Sequence, residues 1–212
     1  MLEHRRPSPT PAERIALDLE RQGYCVTPNF CSPELTLQLA QLAGGRWDEG
    51  DYDAARIGSG PSRHLNPSVR SDHIRWLGPE DDAPPLLAWR GALEELRLAI
   101  NARLWLGLFD WEGHLAVYQP GCFYRRHRDV FVHQRERQVS TVLYLNTAWA
   151  PGDGGELRIF TPSEDGGEVW TDVPPLGGTL VTFLSEQVDH EVLLSHTDRF
   201  SLTGWFRRRP LS

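Results

Sequence analysis

The chain contains no lysine: all 22 of its basic residues are arginines, set against 29 acidic residues and a formal net charge of −7. That balance leaves no broad basic face for a phosphate backbone and disfavours non-specific nucleic-acid binding. Cysteine is scarce, and Cys25, Cys31 and Cys122 form no C-x-x-C pair. An odd number of thiols without metal-type spacing suits a reducing compartment, so a cytoplasmic protein is expected. No apolar run approaches a membrane span, and the opening "MLEHRRPSPTPAERIAL" lacks the apolar centre of a signal peptide. What remains is ordinary globular material, 40% hydrophobic and 24% charged over 212 residues. It is expected to form a single domain over 1–212, with residues 1–9 a loose tail.

The first half reads as helices. Thr10-Pro11-Ala12-Glu13 is a capping box with proline at the first helical position, and Gly23 ends the helix it opens. "YCVTPNF" is a strand candidate, and Ser32-Pro33 starts a second helix that runs to about residue 43. From Gly44 to about Arg70 no period survives, which predicts a long and functional loop region. "RSDHIRWL" reads as a strand. "PPLLAWRGALEELRLAINARLWLG", with Leu86, Trp89, Leu93, Leu96 and Ile100 on one stripe, is the longest helix. After Gly107 short alternating runs follow one another with Gly and Pro between them: "HLAVYQ", "STVLYLN", "GELRIF", "EVWTDV", "GTLVTFL", "HEVLL" and "RFSLTGWF". Strands at such spacing predict a sandwich or barrel, with a β core over about 108–206.

Chemistry concentrates in two stretches. In "FYRRHRDVFV" residues two apart share a face of an extended chain, so His127 and Asp129 present an imidazole and a carboxylate to one point. Alone, such a pair more often describes a surface histidine and an aspartate bridged to Arg125, Arg126 or Arg128. Downstream, "HEVLL" and "RFSLTGWF" flank the turn-like "SHTD", which predicts an antiparallel hairpin pairing Leu194 with Arg199 and His190 with Thr203. Arg199, Ser201, Thr203 and Trp205 then share a cavity face, and Phe200, Leu202 and Phe206 face the helices. His190, 61 residues after Asp129, completes the ingredients of a 2-His-1-carboxylate triad, which leaves positions open on Fe(II) for a chelating 2-oxo acid and O2. An arginine fork such as Arg199 supplies a bidentate partner for the acid's second carboxylate. His133 and His196 are rival ligands, read as solvated, and "RRR" at 207–209 reads as a solubilising tail.

From about Tyr118 to Phe206 the chain resembles the Fe(II)- and 2-oxoglutarate-dependent oxygenases, in particular prolyl hydroxylases of the oxygen-sensing type and their bacterial relatives. The resemblance rests on His127-Arg-Asp129, "LYLN" at 143–146, "GGELRIF" at 154–160, "PPLGGTLVTF" at 174–183, His190 and "RFSLTGW" at 199–205. It implies a mainly β double-stranded β-helix, or jelly roll, with N-terminal helices packed on one sheet. It implies His127, Asp129 and His190 as iron ligands, Arg199 with Tyr144 on the distal carboxylate of 2-oxoglutarate, and Tyr118 and Thr203 lining the same pocket. Tyr144 also suits a core tyrosine, and Trp205 suits packing as well as pocket lining. Arg70, Asp72 and Trp76 match a segment near the substrate entrance, and Arg137 a mobile loop that closes over the substrate. The implied cofactors are Fe(II), 2-oxoglutarate and O2, with ascorbate as a candidate reductant. The implied reaction hydroxylates a C–H bond and releases succinate and CO2. The expected substrate is a prolyl residue in a protein loop, elongation factor Tu being one candidate because bacterial members of the family modify it. The rival readings are a small-molecule or nucleobase oxygenase, and a cupin-like module that binds metal without turnover.

Overall fold

A computed structural model describes residues 8–58, 64–130, 136–163 and 165–210. Most of the expected tail, part of the loop region, the segment 131–135 and the rival ligand His133 lie outside the described residues. Helix α1 (Pro11–Gln22) has the capping box of Thr10 and Glu13 and ends at Gly23, whose φ of 81° lies in the left-handed region. Strand β1 (Tyr24–Thr27) follows. Helix α2 (Pro33–Asp48) is capped by the Ser32 side chain. It runs through Gly44 and Gly45, five residues past the expected end, because its last turn is anchored from outside. Trp47 packs edge-on against Tyr52 and His73 at 5.4 and 5.5 Å, and Arg46 pairs with Asp81 at 2.7 Å. Part of the expected loop is therefore helix, and β2 (Asp53–Ala54) adds a short strand beside β3 (His73–Trp76). Helix α3 (Pro84–Leu104) buries Leu86, Trp89, Leu93, Leu96 and Ile100, the expected stripe.

The remaining strands are β4 (Leu108–Tyr118), β5 (Tyr124–His127), β6 (Arg137–Tyr144), β7 (Leu157–Pro162), β8 (Glu168–Val173), β9 (Leu180–Leu184), β10 (Asp189–Val192) and β11 (Arg199–Arg208). They form a seven-stranded sheet, ordered β1-β9-β6-β11-β4-β3-β2, and a four-stranded sheet, ordered β5-β10-β7-β8. All pairings are antiparallel. This is the jelly roll, and the period-2 alternation of its strands makes two apolar layers. Leu115, Val139, Leu143, Leu180, Leu202 and Phe206 pack with the three helices. Ala116, Tyr118, Val142, Tyr144, Val181 and Phe183 turn the other way, toward Leu157, Ile159 and Val192 of the smaller sheet. No helix among the described residues is long and apolar enough to cross a membrane.

The expected hairpin does not form. β10 pairs with β5 and β7, and β11 with β4 and β6, so the two strands belong to different sheets. "SHTD" is a crossover tied down by Gly121 N–H donating to the Ser195 carbonyl at 2.8 Å and His196 N–H donating to the Asp153 carbonyl at 2.8 Å. The predicted face assignments survive because the two sheets face each other across one interior. The "RRR" segment is not a tail: β11 extends through Arg208, and Arg207 pairs with Asp110 and Glu112 at 2.6 and 2.9 Å.

Gly113 of β4 lies opposite Gly204 of β11, and the Trp111 ring crosses this pair. A Cβ on Gly204 would meet both that ring and the backbone carbonyl of Glu112, which cannot swing aside. Gly204→Ala should therefore destabilise the fold by about 1–3 kcal/mol, the usual cost of overpacking, read as a lower midpoint of urea unfolding. An unchanged midpoint would show that the ring and strand shift freely.

Candidate active site

A cavity of about 660 Å³ opens between the sheets. On its four-stranded side β5 and β10 run antiparallel with His127 directly opposite His190, the ring centroids 4.2 Å apart. Asp129, two residues past the end of β5's last contact, turns back so that its Oδ1 lies 3.5 Å from His127 Nε2 and 3.8 Å from His190 Nε2. One donor atom from each of the three lies within 4.8 Å of the others. The residues around them fix that arrangement. His127 Nδ1 contacts the Arg125 carbonyl at 2.7 Å and His190 Nδ1 the Val188 carbonyl at 3.3 Å, which leaves both Nε2 lone pairs turned inward. Tyr124 stacks on His127 at 3.5 Å, and Phe183 packs on His190 at 4.5 Å. The Ser140 hydroxyl donates to Asp129 Oδ2 at 2.6 Å.

Burial acts to raise the Asp129 carboxyl, but His190, His127 and the Ser140 hydroxyl outweigh it and hold the group well below the usual carboxylate range. Burial, reinforced by His127, lowers His190 to about 4. Two imidazoles and an ionised carboxylate converging on one point have the donor set of a divalent-metal site with open positions.

Arg199 stands on the facing wall. It is 1% exposed, with its guanidinium carbon 4.9 Å from the Tyr118 ring and 5.0 Å from the Tyr144 ring. Among the described residues no carboxylate pairs with it, and Arg199 Nε and the Tyr144 hydroxyl are both buried without a hydrogen-bond partner. Gly155, at φ 67°, lets the chain after Ser195 come close: a Cβ there would press on Arg199 Cδ at 2.9 Å. A buried guanidinium with no carboxylate beside it is costly, and a ligand carboxylate is the group that would satisfy it.

Of the other expected site residues, Tyr118, Thr203, Trp205, Trp76, Arg70 and Arg137 all line the cavity, and Tyr144 lies fully buried against Arg199 at its wall, 5.0 Å from ring to guanidinium carbon. Arg70 is held in a two-bond pair by Asp72, at 2.8 and 2.5 Å, and lies 4.3 Å over Tyr124. Arg137 is not on a loop, because it opens strand β6. Its guanidinium lies 3.5 Å over the Trp205 ring and its Nε donates to Glu112 at 2.9 Å. The rival His196 is exposed in the crossover. Sequence reading missed Ser140, Tyr124 and His114. The first two act only through the neighbours that folding brings to them. His114 was detectable as a polar residue on the inward face of "HLAVYQ".

A family model described as the 2OG-Fe(II) oxygenase superfamily matches residues 113–207. A solved structure of a Pseudomonas putida prolyl-4-hydroxylase is 43% identical, superposes with a TM-score of 0.83, and the match covers 93% of this chain and 99% of that one. The prolyl hydroxylase of Trichoplax adhaerens, solved in complex with a hypoxia inducible factor oxygen degradation domain peptide, shares the fold with a TM-score of 0.83 at 22% identity, covering 92% of this chain and 90% of that one. An uncharacterized PKHD-type hydroxylase of Synechocystis is 26% identical over 112 residues, 46% of this chain, and the match spans 36% of that protein's length.

The depressed His190 makes the metal-free fold acid-sensitive. Its folded value near 4 lies below the ordinary 6.5, so between those values the unfolded state binds a proton that the folded state refuses. The stability this histidine contributes is complete above pH 6.5 and should fall as pH drops toward 4. Urea midpoints of the metal-free protein across that window should decline, and less so in His190→Leu. Parallel profiles for the two proteins would mean His190 is not held neutral.

Proposed function

The chain belongs to the 2OG-Fe(II) oxygenase superfamily, alongside the prolyl 4-hydroxylases, and on that premise we propose that it hydroxylates a prolyl residue in a loop of another protein. The superfamily uses Fe(II), 2-oxoglutarate and O2. The observation that carries the reading is the opposition, across one cavity, of a three-donor cluster and a buried arginine that has no carboxylate partner among the described residues. His127, Asp129 and His190 would hold the iron. Arg199 and the Tyr144 hydroxyl would take the distal carboxylate of 2-oxoglutarate, with Tyr118 and Thr203 beside it. When bound, iron would let O2 serve as the oxidant, one oxygen atom going into succinate as 2-oxoglutarate loses CO2 and the other into the substrate C–H, which becomes C–OH.

The protein's own part is binding, orientation and exclusion of water. Ser140 keeps Asp129 aimed and ionised, and the two carbonyls behind His127 and His190 hold their tautomers. At the mouth Trp76, 40% exposed, and Trp205, stacked under Arg137, form a wall for an incoming chain. Arg70, braced by Asp72, would meet the substrate from the other side. Such a mouth suits an extended polypeptide better than a free metabolite, which is normally enclosed. A cytoplasmic setting fits the free thiols of Cys25, Cys31 and Cys122. Ascorbate is a candidate reductant, and elongation factor Tu a candidate substrate.

Purified protein with Fe(II), 2-oxoglutarate and elongation factor Tu should add one oxygen to a prolyl residue of the probe and release succinate, with free proline far poorer. Efficient turnover of free proline or another metabolite would contradict the protein-substrate reading, and metal binding without any succinate would favour a cupin-like module. His190→Ala should abolish one-to-one Mn(II) binding while the fold stays cooperative. Arg199→Ala should weaken 2-oxoglutarate binding by about 1.5–3 kcal/mol, the worth of a hydrogen bond to a charged group. Wild-type affinity in that variant would remove Arg199 from the carboxylate site.

A further inference from the structure

His114 lines the cavity, and the proposed chemistry leaves it unused. It stands on β4 opposite Thr203 of β11 and Trp76 of β3. The residue is 3% exposed, its Nδ1 is buried without a partner, and among the described residues the ring makes no hydrogen bond. Trp76 meets the ring edge-on at 4.9 Å and Trp205 lies tilted against it at 5.5 Å, so two indoles hold its plane. Burial first, and then the nearby Arg70 and Arg137, lower its pKa well below that of a free imidazole. The ring is therefore neutral, with one donor and one acceptor to offer.

Its place along the strand says what that offer meets. Glu112, His114, Ala116 and Tyr118 are the cavity-facing residues of β4, with Tyr118 paired to Arg199 at one end and Glu112 to Trp205 at the other. Four residue steps along the strand separate His114 from Tyr118, about 14 Å at roughly 3.4 Å per residue. That offset sets His114 toward the Trp205 end of the cavity, away from the Arg199 end where the far carboxylate of a five-carbon diacid would sit. A chain entering past the exposed edge of Trp76 would come up to the His114 ring, against which Trp76 packs at 4.9 Å. A prolyl residue has no N–H, so its main chain presents carbonyls, and a fixed imidazole N–H is a matching donor.

We propose that His114 is a substrate-positioning residue whose ring N–H donates to a main-chain carbonyl of the protein substrate beside the target prolyl residue. This role rests on the prolyl-protein reading. The test measures equilibrium binding of elongation factor Tu, as probe, to protein loaded with Mn(II) and 2-oxoglutarate, and the ratio of succinate to hydroxylated probe in the Fe(II) form. His114→Leu should weaken probe binding about tenfold, the effect of one lost hydrogen bond, and raise the ratio above one, with 2-oxoglutarate affinity within about twofold of wild type. His114→Gln, which keeps a donor, should recover most of the binding. A His114→Leu variant that binds the probe and couples like wild type, differing only in thermal midpoint, would overturn the role. So would a His114→Gln variant no better than His114→Leu. Wild-type protein that neither binds nor hydroxylates the probe would overturn the prolyl-protein reading itself, a result distinct from either of these.

Discussion

Arg199 lies buried between the rings of Tyr118 and Tyr144, and no carboxylate of the described residues neutralises it. A full charge in such a place is tolerated only where the rest of the fold leaves it no alternative. Here the seven-stranded sheet supplies that rigidity. β11 is hydrogen-bonded on both sides, to β4 and β6, and Leu202 and Phe206 pin its back to the helices. The cation therefore has no carboxylate partner in the described fold, and a ligand that supplies the missing anion stabilises the folded state alone. The opposite sheet carries a complementary arrangement, in which an ionised aspartate and two histidines converge on one point suited to a cation. A diacid that can chelate a metal and reach an arginine joins the two walls.

The arginines crowded around His127 and Asp129 frame that second wall. His127 points inward, while Arg126 reaches outward to Glu168 and Asp189 at 2.6 and 3.0 Å, and Arg128 to Asp189 at 2.9 Å. Single exposed pairs of this kind contribute little. Asp189 is nevertheless the neighbour of His190, so the pairs tie the segment bearing two donors to the strand bearing the third. These strands, β5 and β10, are far apart in sequence and gain their register only through the sheet.

Features written within one local segment were legible in advance. The Thr10 and Glu13 cap, the Gly23 stop and the five-residue stripe of α3 each depend on spacings of three or four residues, and all appear in the structure. The inward set of Arg199, Thr203 and Trp205 was legible for the same reason, since alternation along one strand does not depend on its partner. Partnership itself was not: "SHTD" has the composition of a tight turn, yet it crosses between sheets because Asp153 and Cys122 capture its backbone. The extension of α2 through two glycines, the placing of Arg137 on a strand and the bond from Ser140 to Asp129 likewise depend on residues distant in sequence.

The central claim is that one ligand is held jointly by the histidine-carboxylate cluster and by Arg199. A crystal structure of the protein with Mn(II) and 2-oxoglutarate tests it most directly. The account predicts a metal ligated by His127, Asp129 and His190, with the distal carboxylate of 2-oxoglutarate on the Arg199 guanidinium and the Tyr144 hydroxyl. A diacid bound elsewhere while Arg199 stays unpaired, or a metal held by other residues, would contradict it.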